Sequence, residues 1–474
     1  MTNYIFFYGE YGLLVQACAH IGMLISRIIT PRIVIKVGPR VSMIFGAVLA
    51  LGYLFFQLIF LRKVWHNQQR QDDVYQYDKQ IGRLFGLAIS FGMGTHMATE
   101  SSNIYSRYQA DHIADEKQRL KKMLKFDKLN VFLIMFMILV GYLVGGAWLH
   151  KGYFQYDVDS IQIYTQRLVI SCTAFVMGAL AIVLVTNTSI KSPITEPIFN
   201  DRLNLINNSK NSTQKTRESY QNVLDMKTKA CPYFIQIFGN IFSFRMLKYL
   251  IHILCSASIF VMFESLAFTF MYTKVRDNVV KYDVFITFWL YLTFSGVNFL
   301  FSLCTCRKLY DYNNLGTQYS GEGRKCGAFI NFVVFAGLAV IVVIFKLKTW
   351  DFYEISGELT IWIFIIGGCY AGLIHLLLQK QRRSLIIVRI HDQHFYRATQ
   401  IVEEFVMAAL QIGLFFWFKI WTGTYYFEDI LGLQFAVLIL IPTGIGLLIQ
   451  IPIIFCYRKG YSYGYSDYNY NQHY

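Results

Sequence analysis

Two apolar runs near the start of the chain, each long enough to cross a bilayer, are joined by a turn that no helix can pass through. The first runs from Tyr11 to Lys36, the second from Val41 to Leu61, and Val37, Gly38, Pro39 and Arg40 lie between them. A helix rises about 1.5 Å per residue, so roughly 20 apolar residues cross a hydrocarbon core of about 30 Å. Gly38 is conformationally loose, and Pro39 lacks an N–H and disfavours a helical residue before it. The chain must therefore fold back. Lys36 and Arg40 flank the elbow, where charged heads sit in the headgroup layer and fix the side that the turn faces.

The rest of the composition extends this reading to the whole chain. Of 474 residues, 55% are hydrophobic and only 15% charged, and the mean hydropathy is +0.39, which excludes a soluble globular protein of ordinary make-up. The net charge of +15 would suggest nucleic acid in a soluble chain. Here the cations cluster between apolar runs, so nucleic acid is not an expected partner and anionic membrane lipid is. The nine cysteines include Cys18, Cys172, Cys255 and Cys369 inside apolar runs, where they read as small buried hydrophobes. Cys304 and Cys306 have no neighbouring His or second pair, so no metal site is expected. No cofactor motif and no cleavable leader is found, and targeting falls to the spans.

Taken in order, a polar loop is expected from Arg62 to about Ile81, then a glycine-bearing span from Arg83 to Tyr105. A charged surface segment follows from Ser106 to Lys128, then spans at Leu129 to Leu149 and Arg167 to Thr186. Residues 187–245 have the composition of a solvated linker. The later spans are expected at Met246 to Val275, Asp283 to Cys304, Cys326 to Phe345, Leu359 to Leu378, Glu403 to Trp421 and Ile430 to Cys456. The expected architecture is an all-α polytopic membrane protein of about eleven transmembrane helices. It comprises an N-terminal half over 1–186, the linker over 187–245, a C-terminal half over 246–456 and a Tyr-rich tail over 457–474. Lys and Arg concentrate on the side holding the elbow, the linker and the tail, which places these in the cytosol or the mitochondrial matrix. Plasma membrane, endomembrane and mitochondrial inner membrane all remain open.

Gly9, Gly12, Leu13, Pro31, Gly38, Pro39, Arg40, Met43 and Gly46 resemble the second and third helices of the uncoordinated-ninety-three-like branch of the major facilitator superfamily. Gly92, Gly94 and Tyr105 match the spacing of its fourth helix. Glu264, Tyr272, Thr273 and Lys274 fall where its seventh has a Glu and an aromatic-Thr-Lys ending. Gly296, Val297 and Asn298 with Lys308, Leu309 and Asp311 look like its eighth helix and the following loop. The resemblance implies two halves of inverted three-helix repeats rocking about a midplane cavity. Departures are also visible. The match starts at the family's second helix, leaving an absent first helix or a misplaced start. Ile35 occupies the acidic position of the gate-loop motif around Gly38, Pro39 and Arg40. Thr99 and Ser102 replace a tryptophan and a glutamine, and Tyr370 stands where an acid is expected.

Ionisable residues inside spans are costly and so are functional candidates. His20 and Arg27, seven apart, share a face of the opening helix. His96 and Glu100, four apart, share a face of the glycine-rich one. Glu264 lies deep in its span and His375 near the end of its own. Glu100 with His96, or Glu264, offers a carboxylate for a coupled proton. Equally, these residues could serve as interhelical hydrogen bonds, with Arg27 snorkelling to the interface. Glu403 and Glu404 read as a structural pair opening a helix, where carboxylates favour the positive dipole end. No phosphate loop, nucleophile elbow or H-E-x-x-H pair is present, so enzyme chemistry is not expected. Two functions follow. The lost motif positions favour a transporter-derived scaffold, regulatory or accessory subunit docked to other membrane proteins. The alternative is a proton-coupled or facilitative secondary transporter of a small solute.

Overall fold

The computed structural model describes residues 11–70, 75–111, 175–183, 230–261 and 393–421, with single helical positions at 129, 133, 136, 139, 140, 172 and 296. All of these described residues are helical apart from Gly38 and the short turn at Phe242 and Ser243. The helices that position the site are α1 (Tyr11–Val37), α2 (Pro39–Arg70), α3 (Tyr75–Asp111), α4 (Ala230–Ile241), α5 (Phe244–Val261) and α6 (Gln393–Trp421). Among the described residues, three stretches are long and apolar enough to cross a membrane: Tyr11–Val34, Pro39–Phe56 and His394–Phe416.

The elbow forms as its residue types require. Gly38 takes a φ of 86°, a left-handed conformation that closes α1 at little cost without a Cβ. Its N–H donates to the Val34 carbonyl at 2.9 Å, and its own carbonyl accepts from Ser42 N–H and Oγ at 3.2 and 2.9 Å. Pro39 begins α2, where the missing N–H would have had no helical partner. These bonds close the turn, and α2 runs back beside α1.

Helix α3 then packs against both members of the hairpin, and glycines let it come close. A Cβ on Gly92 would strike the Ala19 carbonyl of α1, and one on Gly22 would strike the Ile89 carbonyl of α3. Gly46 and Gly94 face one another across α2 and α3 in the same way. Lipid tails are as apolar as leucine, so the association energy of such helices comes from dispersion at short range, which small residues permit. Val15, Tyr53, Leu84 and Ala88 form the buried cluster at this junction, with the Tyr53 and Phe91 rings 4.8 Å apart.

Several expected boundaries move. The polar loop expected from Arg62 to Ile81 is mostly helix, since α2 continues to Arg70 and α3 starts at Tyr75. Lysine, arginine and glutamine in that stretch are good helix formers, so polarity there marks helix ends outside the apolar layer. The linker expected over 187–245 ends in α4, whose Tyr233 and Ile237 are buried against Ile401 of α6 and flanked by Leu24 and Ile28 of α1. The span expected to open at Glu403 starts ten residues earlier, at Gln393. Glu403 and Glu404 are therefore mid-helix and gain nothing from a helix N-terminus. Glu264, His375, the cysteine pair at 304 and 306, Tyr370 and the Tyr-rich tail lie outside the described residues, as do most of the expected spans between 262 and 392 and beyond 421.

Candidate functional site

One face of α6 carries Arg397, Glu404 and Gln411 at intervals of seven residues, close enough to two helical turns to align them. The facing side of α1 carries Gln16, His20 and Arg27. The two helices run antiparallel, and their polar groups meet in order. Tyr11 stacks on Phe415 with centroids 5.6 Å apart. Next along the seam, Gln411 Nε2 donates to Gln16 Oε1 at 3.2 Å, with both residues buried.

Glu404 is the centre of the seam. Arg27 donates to its Oε1 through both Nη2 at 2.6 Å and Nε at 3.1 Å. His20 Nδ1 lies 2.8 Å from its Oε2. A carboxylate facing a guanidinium is an acceptor, so Nδ1 carries the hydrogen and donates. Each oxygen of Glu404 thus has a different partner, one permanently charged and one that can take or lose a proton. The His20 and Glu404 side chains are 4% and 5% exposed and that of Arg27 is 19% exposed, so these charges are largely withdrawn from solvent. Glu403, also buried, lies within the field felt by Arg27.

A second pair lies nearer the helix ends. Arg397 donates to Glu100 Oε1 of α3 at 2.8 Å and to the Tyr233 hydroxyl of α4 at 3.2 Å. Arg32 of α1 sits 4.5 Å above the Tyr233 ring, a favourable cation–π geometry. Tyr233 therefore ties α4 to both sides of the seam. His96 Nδ1 is 3.1 Å from Ser26 Oγ, which is 2.8 Å from Thr30 Oγ1.

The structure regroups the candidates read from the sequence. His20 and Arg27 do share a face and converge on one acceptor. His96 and Glu100, on one face of α3, take different partners, His96 Ser26 of α1 and Glu100 Arg397 of α6. Arg27 is held by the buried Glu404 carboxylate about three helical turns inside the elbow. Glu404 and Arg397 are the residues that sequence reasoning missed, together with the buried amide Gln411. Thr99, at one of the replaced family positions, is exposed and donates to the Thr95 carbonyl of its own helix at 2.8 Å. Gly38, Pro39 and Arg40 form the elbow at the α1–α2 junction. No cluster of His, Cys, Asp or Glu suited to a metal occurs among the described residues.

No protein-family model matches this sequence, and no curated protein does. Solved structures do match. A D-xylose–proton symporter aligns over 93% of this chain and 87% of its own, with a TM-score of 0.56 and 12% identity. The xylose transporter XylE from E. coli, in a partially occluded inward-open conformation, aligns over 94% and 86%, with a TM-score of 0.52 and 13% identity. Its inward-open form gives 94%, 85%, 0.52 and 15%. At such low identity the likeness carries the fold alone. On that fold and its apolar helices, the chain is an all-α, multi-pass membrane protein of major-facilitator-like architecture.

Proposed function

We propose that this protein is a secondary transporter of a small solute, and that the α1–α6 seam is a contact which forms and breaks as the two ends of the chain rock against one another. The observation that carries the reading is Glu404, buried on α6 and held across the bundle by Arg27 and His20 of α1. Buried ion pairs rarely add stability over well-packed apolar side chains of the same volume. A rigid scaffold gains little from one. A moving interface gains a contact with high directional specificity that can part and be remade, because each charge can be rehydrated on opening. The juxtaposed imidazole and carboxylate also offer a place for a coupled proton, on residues other than the His96, Glu100 or Glu264 suggested by the sequence. The symporter among the structural neighbours moves D-xylose with protons, and a sugar-sized polar solute is the first class to try.

The scaffold reading keeps one supporting observation, Ile35 in place of the gate-loop acid. On that reading the chain docks to other membrane proteins as an accessory subunit, and the seam stays shut. Thiol labelling separates the two. In a cysteine-depleted background, Gln16→Cys is treated with a membrane-impermeant maleimide in sealed vesicles, with and without Glu404→Gln. A transporter labels slowly and labels faster, by about tenfold, when the lock is broken. No labelling in either protein contradicts transport and favours the scaffold.

A further inference from the structure

The connection between α4 and α5 is a tightly bonded corner that points apolar side chains outward. Phe242 N–H donates to the Phe238 carbonyl at 3.0 Å and Ser243 N–H to the Asn240 carbonyl at 3.3 Å. Ser243 Oγ donates to the same Asn240 carbonyl at 2.8 Å and lies 3.3 Å from Met246 N–H, the position of an N-cap for α5. On this fixed corner Phe242 is 84% exposed and Phe244 79% exposed, flanked by Ile235 at 67%, Leu247 at 55% and Phe238 at 45%.

These residues fall within 13 positions of one another on the two sides of the corner. Ile235 and Phe238, three residues apart, lie on one stripe of α4, opposite the stripe of Tyr233 and Ile237 that packs inward, and Phe242 follows in the turn four residues on. Helix α4 is thus apolar on two faces, one against the protein and one facing outward. It is none of the three candidate spans among the described residues. Its inner face nevertheless meets Arg32 and Arg397, which lie close to the ends of two of them. The outer face is therefore set at the border of the apolar layer. The span expected from the sequence at Met246 would open immediately after the corner. Arg245, exposed, lies between the two and stacks 4.8 Å above Phe395 of α6, while Lys36 at the elbow is also exposed. Apolar rings beside basic heads match the boundary between acyl chains and anionic headgroups. The surface is also continuous in character with the exposed apolar residues of the spans, such as Phe405 and Phe416 of α6.

We infer that the α4–α5 corner, through Ile235, Phe238, Phe242, Phe244 and Leu247, is a lipid-docking surface that inserts into the headgroup–acyl boundary of an anionic bilayer. The end of the expected linker is then anchored to the membrane, and its anchor is the helix whose Tyr233 bridges the seam. This inference does not depend on whether the protein transports.

Phe242→Trp and Phe244→Trp, made separately in the full chain, test it in vesicles of phosphatidylcholine and phosphatidylglycerol. Both sites are exposed, so neither change removes packing. The seven native tryptophans are subtracted using the parent protein. The added fluorescence is expected to be quenched about twofold more by lipid brominated at carbons 6 and 7 than at carbons 11 and 12, with little effect of aqueous acrylamide. Acrylamide quenching without bromolipid quenching overturns the inference in favour of a water-facing corner. Protection from both quenchers overturns it in favour of a protein partner or a second copy.

Discussion

Helix α1 meets its two main neighbours in opposite ways. Against α3 it presents backbone, with Gly22 and Gly92 each set against a carbonyl of the other helix and no room for a methyl group. Against α6 it presents side chains: one ring of an aromatic pair, one amide of an amide pair, and the guanidinium and imidazole that share the Glu404 carboxylate. The first contact has one geometry, and displacing it loses dispersion over many atoms at once. The second consists of discrete polar bonds that can be broken and remade in order. On the transport reading proposed above, a single helix would belong to a rigid block on one side and to a separable seam on the other. That asymmetry is what a rocking mechanism needs and what a static bundle does not.

The contrast can be broken most severely at the rigid face. Gly92→Leu places a branched side chain against the Ala19 carbonyl, and overpacking of this kind against immovable backbone costs about 3 kcal/mol or more. The expected outcome is loss of the monodisperse peak on size-exclusion chromatography, with Gly52→Leu, at a site open on all sides, as the tolerated control.

At the seam the effect depends on which partners remain. Arg27→Leu leaves Glu404 buried without its guanidinium and is expected to lower stability by about 3 kcal/mol. Adding Glu404→Leu should recover more than half of that loss, because the stranded charge is removed with its partner. Thermal unfolding of the single and double variants in detergent gives the coupling energy. An additive double variant would mean that the pair contributes nothing to the folded state.

A smaller effect is expected at Arg397 and Glu100, whose side chains are 26% and 24% exposed. Glu100→Gln retains a hydrogen-bond acceptor, and partial solvation reduces the lost ion-pair energy to about 1 kcal/mol or less. The same unfolding assay at raised ionic strength should shrink the difference further. Smallest of all is Thr99→Val. Its hydroxyl donates within its own helix, so a change within about 0.5 kcal/mol is expected.

The two interfaces were unequally legible in the sequence. The elbow could be read directly, because Gly38 and Pro39 have strong and local conformational requirements. The glycines of α3 were visible as spacing, although only the structure shows which carbonyl each one meets. The seam was half visible. His20 and Arg27 stood out as ionisable groups in an apolar run, but their partner did not. Gln393, His394, Arg397, Thr399 and Gln400 dilute the apolar pattern of α6, so the helix was expected to open at Glu403, and a carboxylate pair at a helix start has a ready structural explanation. The seven-residue interval of Arg397, Glu404 and Gln411 was the signal that could have corrected this. Tyr233 was hidden differently. It sits in a stretch whose average polarity reads as linker, and only the four-residue step to Ile237 marks a helix face.

Distances measured across both faces of α1 distinguish a moving seam from a static one. Spin labels at the exposed positions Lys36 of α1 and Phe405 of α6 span the seam, while Lys36 paired with exposed Thr99 of α3 stays within the rigid block. In reconstituted, cysteine-depleted protein, pulsed dipolar spectroscopy should give two distances for the first pair, redistributed by Glu404→Gln, and one unchanging distance for the second. A single distance for both pairs that Glu404→Gln does not move would contradict the account.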